Sequence, residues 1–327
     1  MTVFTNNHNL GLPTALFLAS DSYDYIPDVV SATALMKPVR QQVLKSRVAV
    51  ENKSIDVVSL VKSRLGTAIH DSIEKAWVEP SRREAALRSL GYSPKLIERI
   101  IVNPEPDQIK DDSIPVYLER RSFKEVNGVK VSGKFDFVAD GAVRDFKSTG
   151  VFTWIKNTKE DDYRKQLSIY RWLNPDIITR SVGTIDFFFT DWQAFRTSDA
   201  NYPPQPVMSK MIDLLSLEDT QAYVEQKLAE YARYRDSDEE NIPPCTSEDL
   251  WQRDPSWKYY KDPTAHAMGK RSTKNFNNPG DAHTLAAKNG AGIVVEVQGE
   301  VVACKYCDAY SVCTQKDQLI AQGLLKI

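Results

Sequence analysis

A short stretch in the middle of the chain places two carboxylates and a lysine where they could bind a metal ion. The dipeptide Asp140-Gly141 is typical of a two-residue type I′ turn, and apolar strand-forming residues flank it. A hairpin about this turn sets Asp136 opposite Asp145 and puts Lys147 on the same strand face as Asp145. Opposed carboxylates repel each other, so the fold needs a cation between them or a raised carboxyl pKa. The same turn also pairs Ala139 with Ala142, Val138 with Val143 and Phe137 with Arg144.

Two helical patterns, one on each side of the hairpin in sequence, carry further polar groups. The apolar periodicity over residues 56–77 predicts a helix in which Gly66 stands one turn before His70. Glycine inside a helix costs about 1 kcal/mol relative to alanine, and we interpret Gly66 as leaving room beside the imidazole for a metal or a phosphate. Gln166 and Tyr170 follow at i, i+4 spacing and share a helix face. A core tyrosine would explain Tyr170 but not Gln166.

In this order the segments resemble the motifs of RecB-like nucleases of the PD-(D/E)XK superfamily. The matching residues are Gly66 and His70 for G-x-x-x-H, Asp136 for the first acidic position, Asp145-Phe146-Lys147 for (D/E)-x-K, and Gln166 and Tyr170 for Q-x-x-x-Y. The resemblance implies an α/β fold with the restriction-endonuclease-like mixed sheet flanked by helices. The hairpin taken alone would also fit a surface hairpin of mixed charge.

The resemblance gives each of these groups a role. Mg²⁺ or Mn²⁺, hard ions that favour oxygen ligands, would be held by His70, Asp136, Asp145 and the carbonyl of Phe146. Lys147 would orient or deprotonate the attacking water, with a pKa lowered by burial or by the metal. Gln166 and Tyr170 would position Lys147 or the scissile phosphate. Glu119, on the strand before the hairpin, would be an outer ligand or an edge charge.

All four cysteines lie in the last third of the chain: Cys245, Cys304, Cys307 and Cys313. Structural zinc usually takes two short cysteine pairs, whereas one distant cysteine plus a cluster of three better suits a [4Fe-4S] cluster. The trio has the spacing of iron–sulfur nucleases of the AddB and CRISPR-associated exonuclease kinds, although in those families the remote cysteine precedes the nuclease core. We expect a [4Fe-4S] cluster, with zinc or free thiols as the alternatives.

The composition of the 327-residue chain fits an enzyme of the cell interior. The net charge is −2, so any contact with DNA has to be local. The apolar segment from Leu10 to Ala19 has no preceding Lys or Arg, contains Pro13 and is too short to span a membrane, so we expect a cytoplasmic protein. The sequence has no Walker-type phosphate loop, so a helicase would have to be a separate partner, as would a recombination protein.

Three groups of basic residues could contact phosphate. They are Lys37, Arg40, Lys45 and Arg47; Lys156, Lys159, Arg164 and Lys165; and Lys258, Lys261, Lys270, Arg271 and Lys274. The third group is interspersed with Trp257, Tyr259, Tyr260 and Phe276, a mixture suited to stacking on single-stranded bases.

The predicted elements follow the order of an α/β nuclease core. Helices are predicted at 31–47 with a break at Pro38, 56–77, 82–90, 94–101, 151–156, 162–173 and 208–235, and strands at 116–123, 129–138, 143–147 and 182–190. The residues before Asp28 look irregular. We expect a nuclease core with N-terminal helices over residues 1–240 and a metal-cluster region over residues 241–327.

These patterns predict a metal-dependent DNA nuclease. We expect an exonuclease that hydrolyses phosphodiester bonds at DNA ends or in single strands, in recombination, repair, replication or phage DNA processing. A structure-specific endonuclease and a catalytically inert, cluster-stabilised DNA-binding protein are the alternatives. The complete set of acidic residues with Lys147 counts against the inert protein.

Overall fold

The computed structural model describes residues 3–20, 26–49 and 54–326. The chain divides into two compact units. The first comprises Met1–Met36 and Val50–Ala229, and the second comprises Lys37–Ala49 and Glu230–Ile327. The boundary expected between residues 240 and 241 thus lies inside the second unit, which also contains a segment from the N-terminal part of the chain.

The described residues form short and long strands and helices in alternation. The strands are β1 Val3–Thr5, β2 Val29–Ser31, β3 Ser54–Asp56, β4 Ile100–Val102, β5 Ile114–Val126, β6 Val129–Ala139, β7 Ala142–Thr149, β8 Val182–Phe189, β9 Val207–Asp213, β10 Ser256–Tyr260, β11 Lys274–Phe276 and β12 Ile293–Val297. The helices are α1 Leu12–Ala19, α2 Ala32–Leu35, α3 Val39–Ser46, α4 Val61–Val78, α5 Pro80–Ser89, α6 Pro94–Ile97, α7 Val151–Lys156, α8 Glu160–Leu173, α9 Leu217–Tyr234, α10 Pro263–Ala267, α11 Pro279–Asn289 and α12 Thr314–Ala321. In the described ranges, no helix combines the length and the apolar character needed to cross a membrane.

A mixed sheet forms the centre of the first unit. Its seven strands have the order β4-β5-β6-β7-β8-β9, with β2 beside β6. The pairs β4–β5, β2–β6 and β7–β8 are parallel, and β5–β6, β6–β7 and β8–β9 are antiparallel. Helices flank this sheet, so the mixed α/β arrangement expected from the sequence is present.

The β6–β7 hairpin has the predicted register. Asp140 and Gly141 have φ values of 49° and 71°, as a type I′ turn requires. The paired residues are Phe137 with Arg144, Val138 with Val143 and Ala139 with Ala142. The pairing with β6 ends there, while on its other edge β7 continues alongside β8 from Arg144 to Thr149. The predicted cross-strand pair of Asp136 with Asp145 is therefore not formed, and Asp136 Oδ2 instead accepts a hydrogen bond from the Phe146 N–H (2.8 Å).

The side chains of β6 change faces at Asp136. Phe135 and Val138 belong to the apolar core that includes α8. Phe137 belongs to a second core, where its ring lies 5.1 Å from the ring of Trp77 of α4. In a regular strand, residues two apart share a face, so the face reverses between Phe135 and Phe137. Asp136 thus lies where the strand is distorted and where β6 and β7 separate.

Three segments differ from the sequence prediction. The helix predicted over 94–101 ends at Ile97, and Ile100–Val102 form the strand β4, which pairs with β5. The helix predicted to start at Met208 begins only at Leu217, since residues 207–213 form the strand β9 paired with β8. The N-terminal residues predicted to be irregular contain β1 and α1. Pro13 lies in the first turn of α1, where its missing N–H costs no intrahelical bond.

The second unit contains a three-stranded antiparallel sheet of order β11-β10-β12, with α11 against it. Tyr259 and Tyr260 of β10 are buried, and Tyr259 Oη donates a hydrogen bond to the Ala291 carbonyl (2.8 Å). The prediction that these two tyrosines stack on bases is wrong, because their rings are used in packing. Trp257 and Phe276 lie opposite each other on β10 and β11 and are half-buried.

The first predicted basic group has structural contacts within the second unit. Arg40 is buried, forms an ion pair with Glu239 and donates to the carbonyl of Ile242 (3.1 Å). Arg47 donates to the carbonyl of Arg235 (3.1 Å). These contacts hold α3 to the segment that follows α9, so they do not support a phosphate-binding role for Arg40 and Arg47.

Candidate metal centre

Three side chains from three elements converge where β6 and β7 separate. His70 of α4, Glu119 of β5 and Asp136 of β6 each contribute one ligand atom to a group whose atoms all lie within 4.8 Å of one another. His70 Nδ1 is 3.7 Å from Glu119 Oε1 and 3.6 Å from Asp136 Oδ2. Across the described part of the chain, no other set of three His, Cys, Asp or Glu side chains is this compact.

The backbone of β7 orients the imidazole of His70. His70 Nε2 lies 2.9 Å from the carbonyl oxygen of Phe146. When Nε2–H donates to that carbonyl, the neutral ring presents the lone pair of Nδ1 to the two carboxylates. The Phe146 carbonyl, predicted as a metal ligand, is therefore placed to fix the tautomer of His70.

Gly66 allows α4 to lie close to β7. A Cβ atom on Gly66 would be 3.0 Å from Ser148 Oγ, which is tighter than ordinary van der Waals contact. Gly66 thus has a packing role against β7, and the interpretation that it leaves space beside His70 for a metal or a phosphate stays a prediction. The glycine sets how deeply the helix that carries His70 approaches the sheet.

Glu119 has a backbone conformation that is rare in a strand. Its φ of 48° lies in the left-handed region, and the β5–β6 pairing passes from Leu118 with Phe137 to Arg120 with Phe135 without a Glu119–Asp136 pair. Backbone strain of this kind is concentrated at functional sites. Of the two roles expected for Glu119, outer ligand and edge charge, its place in the group with His70 and Asp136 is compatible with the ligand role.

Lys134 is a residue of the site that the sequence analysis missed. Its Nζ lies 2.5 Å from Glu119 Oε2. Burial alone would raise the pKa of Glu119, but the hydrogen bonds from His70 and Lys134 outweigh this effect, and the pKa is lowered. The sequence could have indicated Lys134, because it lies two residues before Asp136 on the same predicted strand.

Asp145 and Lys147 form an ion pair on β7. Asp145 is 1 % exposed, and its Oδ2 lies 2.7 Å from Lys147 Nζ. Burial alone would lower the pKa of Lys147, but attraction to Asp145 outweighs burial, and the pKa is raised. Burial therefore does not produce the predicted lowering of this pKa, whereas the lowering expected from a bound metal stays a prediction.

Crowding of carboxylates shifts two further pKa values. Burial lowers the pKa of His70, but the hydrogen bond to Glu119 and the charge of Asp136 more than offset burial and raise the pKa to about 9. Burial and repulsion from Asp145 raise the pKa of Asp136 to about 7. The protein thus binds protons at a place where a divalent cation could replace them.

Gln166 and Tyr170 share a face of α8, as their spacing predicts, and contact each other. Gln166 Nε2 donates to Tyr170 Oη (2.9 Å), and both side chains are buried. Burial, together with the charges of Asp145 and Asp136, raises the pKa of Tyr170 well above its ordinary value. Lys147 Nζ is 6.0 Å from the ring centroid of Tyr163, three residues before Gln166. The α8 helix therefore lines the side of the site that holds Asp145 and Lys147.

The donor set of this site suits a hard divalent cation. Two carboxylates and one imidazole lie together, and the charge of Asp145 acts on Asp136. Oxygen-rich sites with a single imidazole favour ions such as Mg²⁺ or Mn²⁺ over thiophilic metals. The residues present therefore fit the expected metal, and His70, Glu119, Asp136 and Asp145 are the ones that could hold it.

The four cysteines, all unpaired and half-buried, lie in the second unit. Gln315 accepts a hydrogen bond from the Cys245 N–H and donates one to its carbonyl, both 2.9 Å long, which holds Cys245 next to the helix that follows Cys313. Burial and the charges of Asp249, Cys313 and Cys307 raise the pKa of Cys245 to about 12. No three of the four sulfurs lie within 4.8 Å of one another. The remote cysteine is nevertheless a neighbour of the trio.

Comparisons with known proteins give structural similarity at a low level. No family model and no curated protein matches the chain. One similar structure, described as the crystal structure of SSO0001, is 14% identical, with a TM-score of 0.39 and coverage of 67% of this chain and 86% of its own. Another, a phage related exonuclease from Haemophilus somnus 129PT, is 16% identical, with a TM-score of 0.25 and coverage of 34% of this chain and 57% of its own. Similarity at this level does not establish a shared activity.

Proposed function

We propose that this chain is a metal-dependent DNA nuclease of the RecB-like PD-(D/E)XK type, which acts as an exonuclease at DNA ends or in single strands. The observation that carries the proposal is the convergence of His70 of α4, Glu119 of β5 and Asp136 of β6 within 4.8 Å, beside strand β7, which carries the Asp145–Lys147 ion pair. Hydrolysis of a phosphodiester needs an activated water and charge neutralisation at the phosphate and the leaving oxygen. This group of residues offers ligands for a cation and a lysine for the phosphate.

The residues divide this work among themselves. Mg²⁺ or Mn²⁺, held by His70, Glu119, Asp136 and Asp145, would lower the pKa of a water and withdraw charge from the attacked phosphate. Lys147, with its raised pKa, would donate a hydrogen bond to a phosphate oxygen or to the attacking water. Gln166 and Tyr170 would position Lys147 through the packing of α8, and the Phe146 carbonyl would keep His70 in its ligating tautomer.

For the second unit we propose a [4Fe-4S] cluster bound by Cys245, Cys304, Cys307 and Cys313. One distant cysteine plus a cluster of three suits such a cluster better than zinc, which usually takes two short cysteine pairs. The hydrogen bonds of Cys245 with Gln315 hold the distant cysteine next to the helix that follows Cys313. The role of the iron–sulfur cluster would be structural, because no cysteine belongs to the acidic group.

Incubation with end-labelled linear DNA and with circular DNA, each single- and double-stranded, tests the nuclease proposal. We expect release of the end label with Mg²⁺ or Mn²⁺, none with EDTA, and intact circles. Asp145→Asn and Lys147→Ala should each abolish cleavage, and Lys147→Ala should still bind Mn²⁺. Asp111→Asn and Lys110→Ala, exposed on the loop before β5, are matched controls that should cleave like the wild type. Wild-type cleavage by both site variants would overturn the proposal, and cutting of circles would select an endonuclease.

A further inference from the structure

A basic and aromatic strip runs along one face of the β5–β6 pair and ends at the candidate metal centre. We call it the hairpin strip, and its members are Arg121, Phe123, Lys130 and Lys134. Strands β5 and β6 pair Arg121 with Lys134 and Phe123 with Ser132, which places these side chains on one face. Lys130 Nζ lies 4.5 Å from the ring centroid of Phe123, and Arg121 Nη1 lies 3.5 Å from Ser132 Oγ. At the near end, Lys134 contacts Glu119 of the metal centre.

The opposite face of the β5–β6 pair is covered by α8. Ser122 Oγ donates to Asn174 Oδ1 at the end of α8 (2.5 Å), and Lys124 Nζ lies 4.2 Å from the ring centroid of Trp172. The hairpin strip faces away from these contacts. Phe123 is 42% exposed, and Lys130 and Lys134 are exposed as well. Phe123, Lys130 and Lys134 are therefore accessible, whereas Arg121 is half-buried and Ser132, opposite Phe123, is buried.

The strip and the metal centre are close enough to contact one nucleic-acid strand together. Phe123 lies four positions after Glu119 on β5, which is about 13 Å at roughly 3.3 Å per residue. Glu125, opposite Lys130, is an acidic side chain at the far end, so the positive charge is greatest towards the metal centre. Towards the metal centre, the strip thus presents the ring of Phe123 between Lys130 and Arg121, then Lys134, and then the ligand group.

We propose that the hairpin strip binds the single-stranded DNA segment next to the bond that is cut. Arg121, Lys130 and Lys134 would contact phosphates, and Phe123 would stack on a base. Basic side chains with an exposed aromatic ring are the combination used by single-strand sites, because every unpaired base offers a face for stacking. Paired bases in a duplex offer such a face only where a base step is unstacked, which costs about a few kcal/mol per step. The inference rests on the proposed nuclease function and specifies its substrate as a single strand.

Fluorescence anisotropy with a labelled oligothymidylate in EDTA tests the strip without cleavage. Phe123→Ala should weaken binding roughly tenfold through loss of one stacking contact, whereas Phe123→Trp should retain affinity. Lys130→Gln should weaken binding and reduce the slope of log affinity against log salt by about 0.7, as expected for one lost phosphate contact. Phe195→Ala and Lys110→Ala, exposed residues outside the strip, should bind like the wild type. Thermal unfolding of each variant verifies that its fold is retained.

The outcomes separate the strip from the nuclease function. If Phe123→Ala and Lys130→Gln bind the oligonucleotide as tightly as their matched controls, the proposal that the strip binds DNA is wrong. The proposal of metal-dependent cleavage is then unaffected. Preference of the wild type for a blunt duplex over the single strand would also overturn the proposal for the strip. Loss of binding in the strip variants together with a wild type that cleaves no DNA in Mg²⁺ would support the strip and contradict the nuclease.

Discussion

At the scale of single residues, the candidate metal centre balances its negative charges in two ways. Lys134 and Lys147 pair with Glu119 and Asp145, respectively. His70 and Asp136 face each other and have raised pKa values, so these two groups bind protons near neutral pH. An entering cation therefore competes mainly with protons.

We expect the affinity for Mn²⁺ to rise with pH. A ligand has to lose its proton before it binds, so a metal favours the neutral imidazole of His70 and the carboxylate of Asp136. With pKa values of about 9 and about 7, the centre carries both protons below pH 7, only that of His70 between pH 7 and 9, and neither above pH 9. Binding should release more than one proton at pH 7 and progressively fewer towards pH 10.

Titration calorimetry in two buffers of different ionisation enthalpy measures this proton release. His70→Gln should bind Mn²⁺ more weakly and lose the part of the pH dependence near pH 9. A matched exposed histidine, His283→Gln, should leave the profile unchanged. An affinity independent of pH between 6 and 10 would contradict the assignment of His70 and Asp136 as ligands.

At the scale of elements, local chemistry made some features predictable from the sequence. The turn residues Asp140-Gly141 fix the register of β6 with β7 because only one pairing follows from a two-residue loop. The i, i+4 spacing of Gln166 and Tyr170 likewise fixes their shared helix face. Both features depend on residues within a few positions of one another.

Other features depend on non-local contacts and were not predictable in this way. Apolar residues such as Met208 and Ile212 are compatible with a helix or a strand, and this segment forms a strand because it pairs with β8. The left-handed Glu119 has no Gly or Asn signal in its segment, and its position follows from the change of faces at Asp136 on the neighbouring strand. The place of Glu119 in the ligand group therefore emerges only when β5, β6 and α4 come together.

Close packing of α8 on β6 should make Gly133 intolerant of a side chain. A Cβ atom at Gly133 would lie 2.7 Å from Leu173 Cδ1 and 3.0 Å from Tyr170 Cδ1. We expect Gly133→Ala to destabilise the first unit by about 1–3 kcal/mol through overpacking, seen as a lower unfolding temperature. Gly11→Ala is the matched control, because a Cβ there meets nothing within 4 Å and its φ of −57° suits alanine. Equal unfolding temperatures for the two variants would show that α8 can move away without cost.

At the scale of the whole molecule, the two units carry different chemistry. The acidic group, Lys147 and the hairpin strip lie in the first unit, and all four cysteines lie in the second. Within the second unit, Arg40 of α3 binds the segment near Ile242, and Gln315 of α12 binds Cys245. A metal centre at the cysteines would join the segment at Cys245 to residues 304–313 without sharing a ligand with the first unit.

Replacing Cys245 with Ser should release the cluster and loosen the second unit alone. Wild-type protein purified without oxygen should be brown, with about four iron and four sulfide per chain. In Cys245→Ser we expect the iron content to fall towards zero, because the cluster then has three thiolate ligands and a hydroxyl, which is a poor ligand for iron–sulfur clusters. Limited proteolysis should then cut first between Asp236 and Pro244, while Mn²⁺ binding by the first unit is retained.

Ser247→Ala, exposed two residues further along the chain, is the matched control and should keep both the iron and the wild-type proteolysis pattern. Full iron content in Cys245→Ser would show that Cys245 is not a ligand and that the trio uses another group. Colourless wild-type protein with one zinc per chain would show that the cysteines bind zinc and not an iron–sulfur cluster. Loss of Mn²⁺ binding in Cys245→Ser would contradict the separation of the two centres, because the first unit contains every residue of the acidic group and should bind the ion without the cysteines.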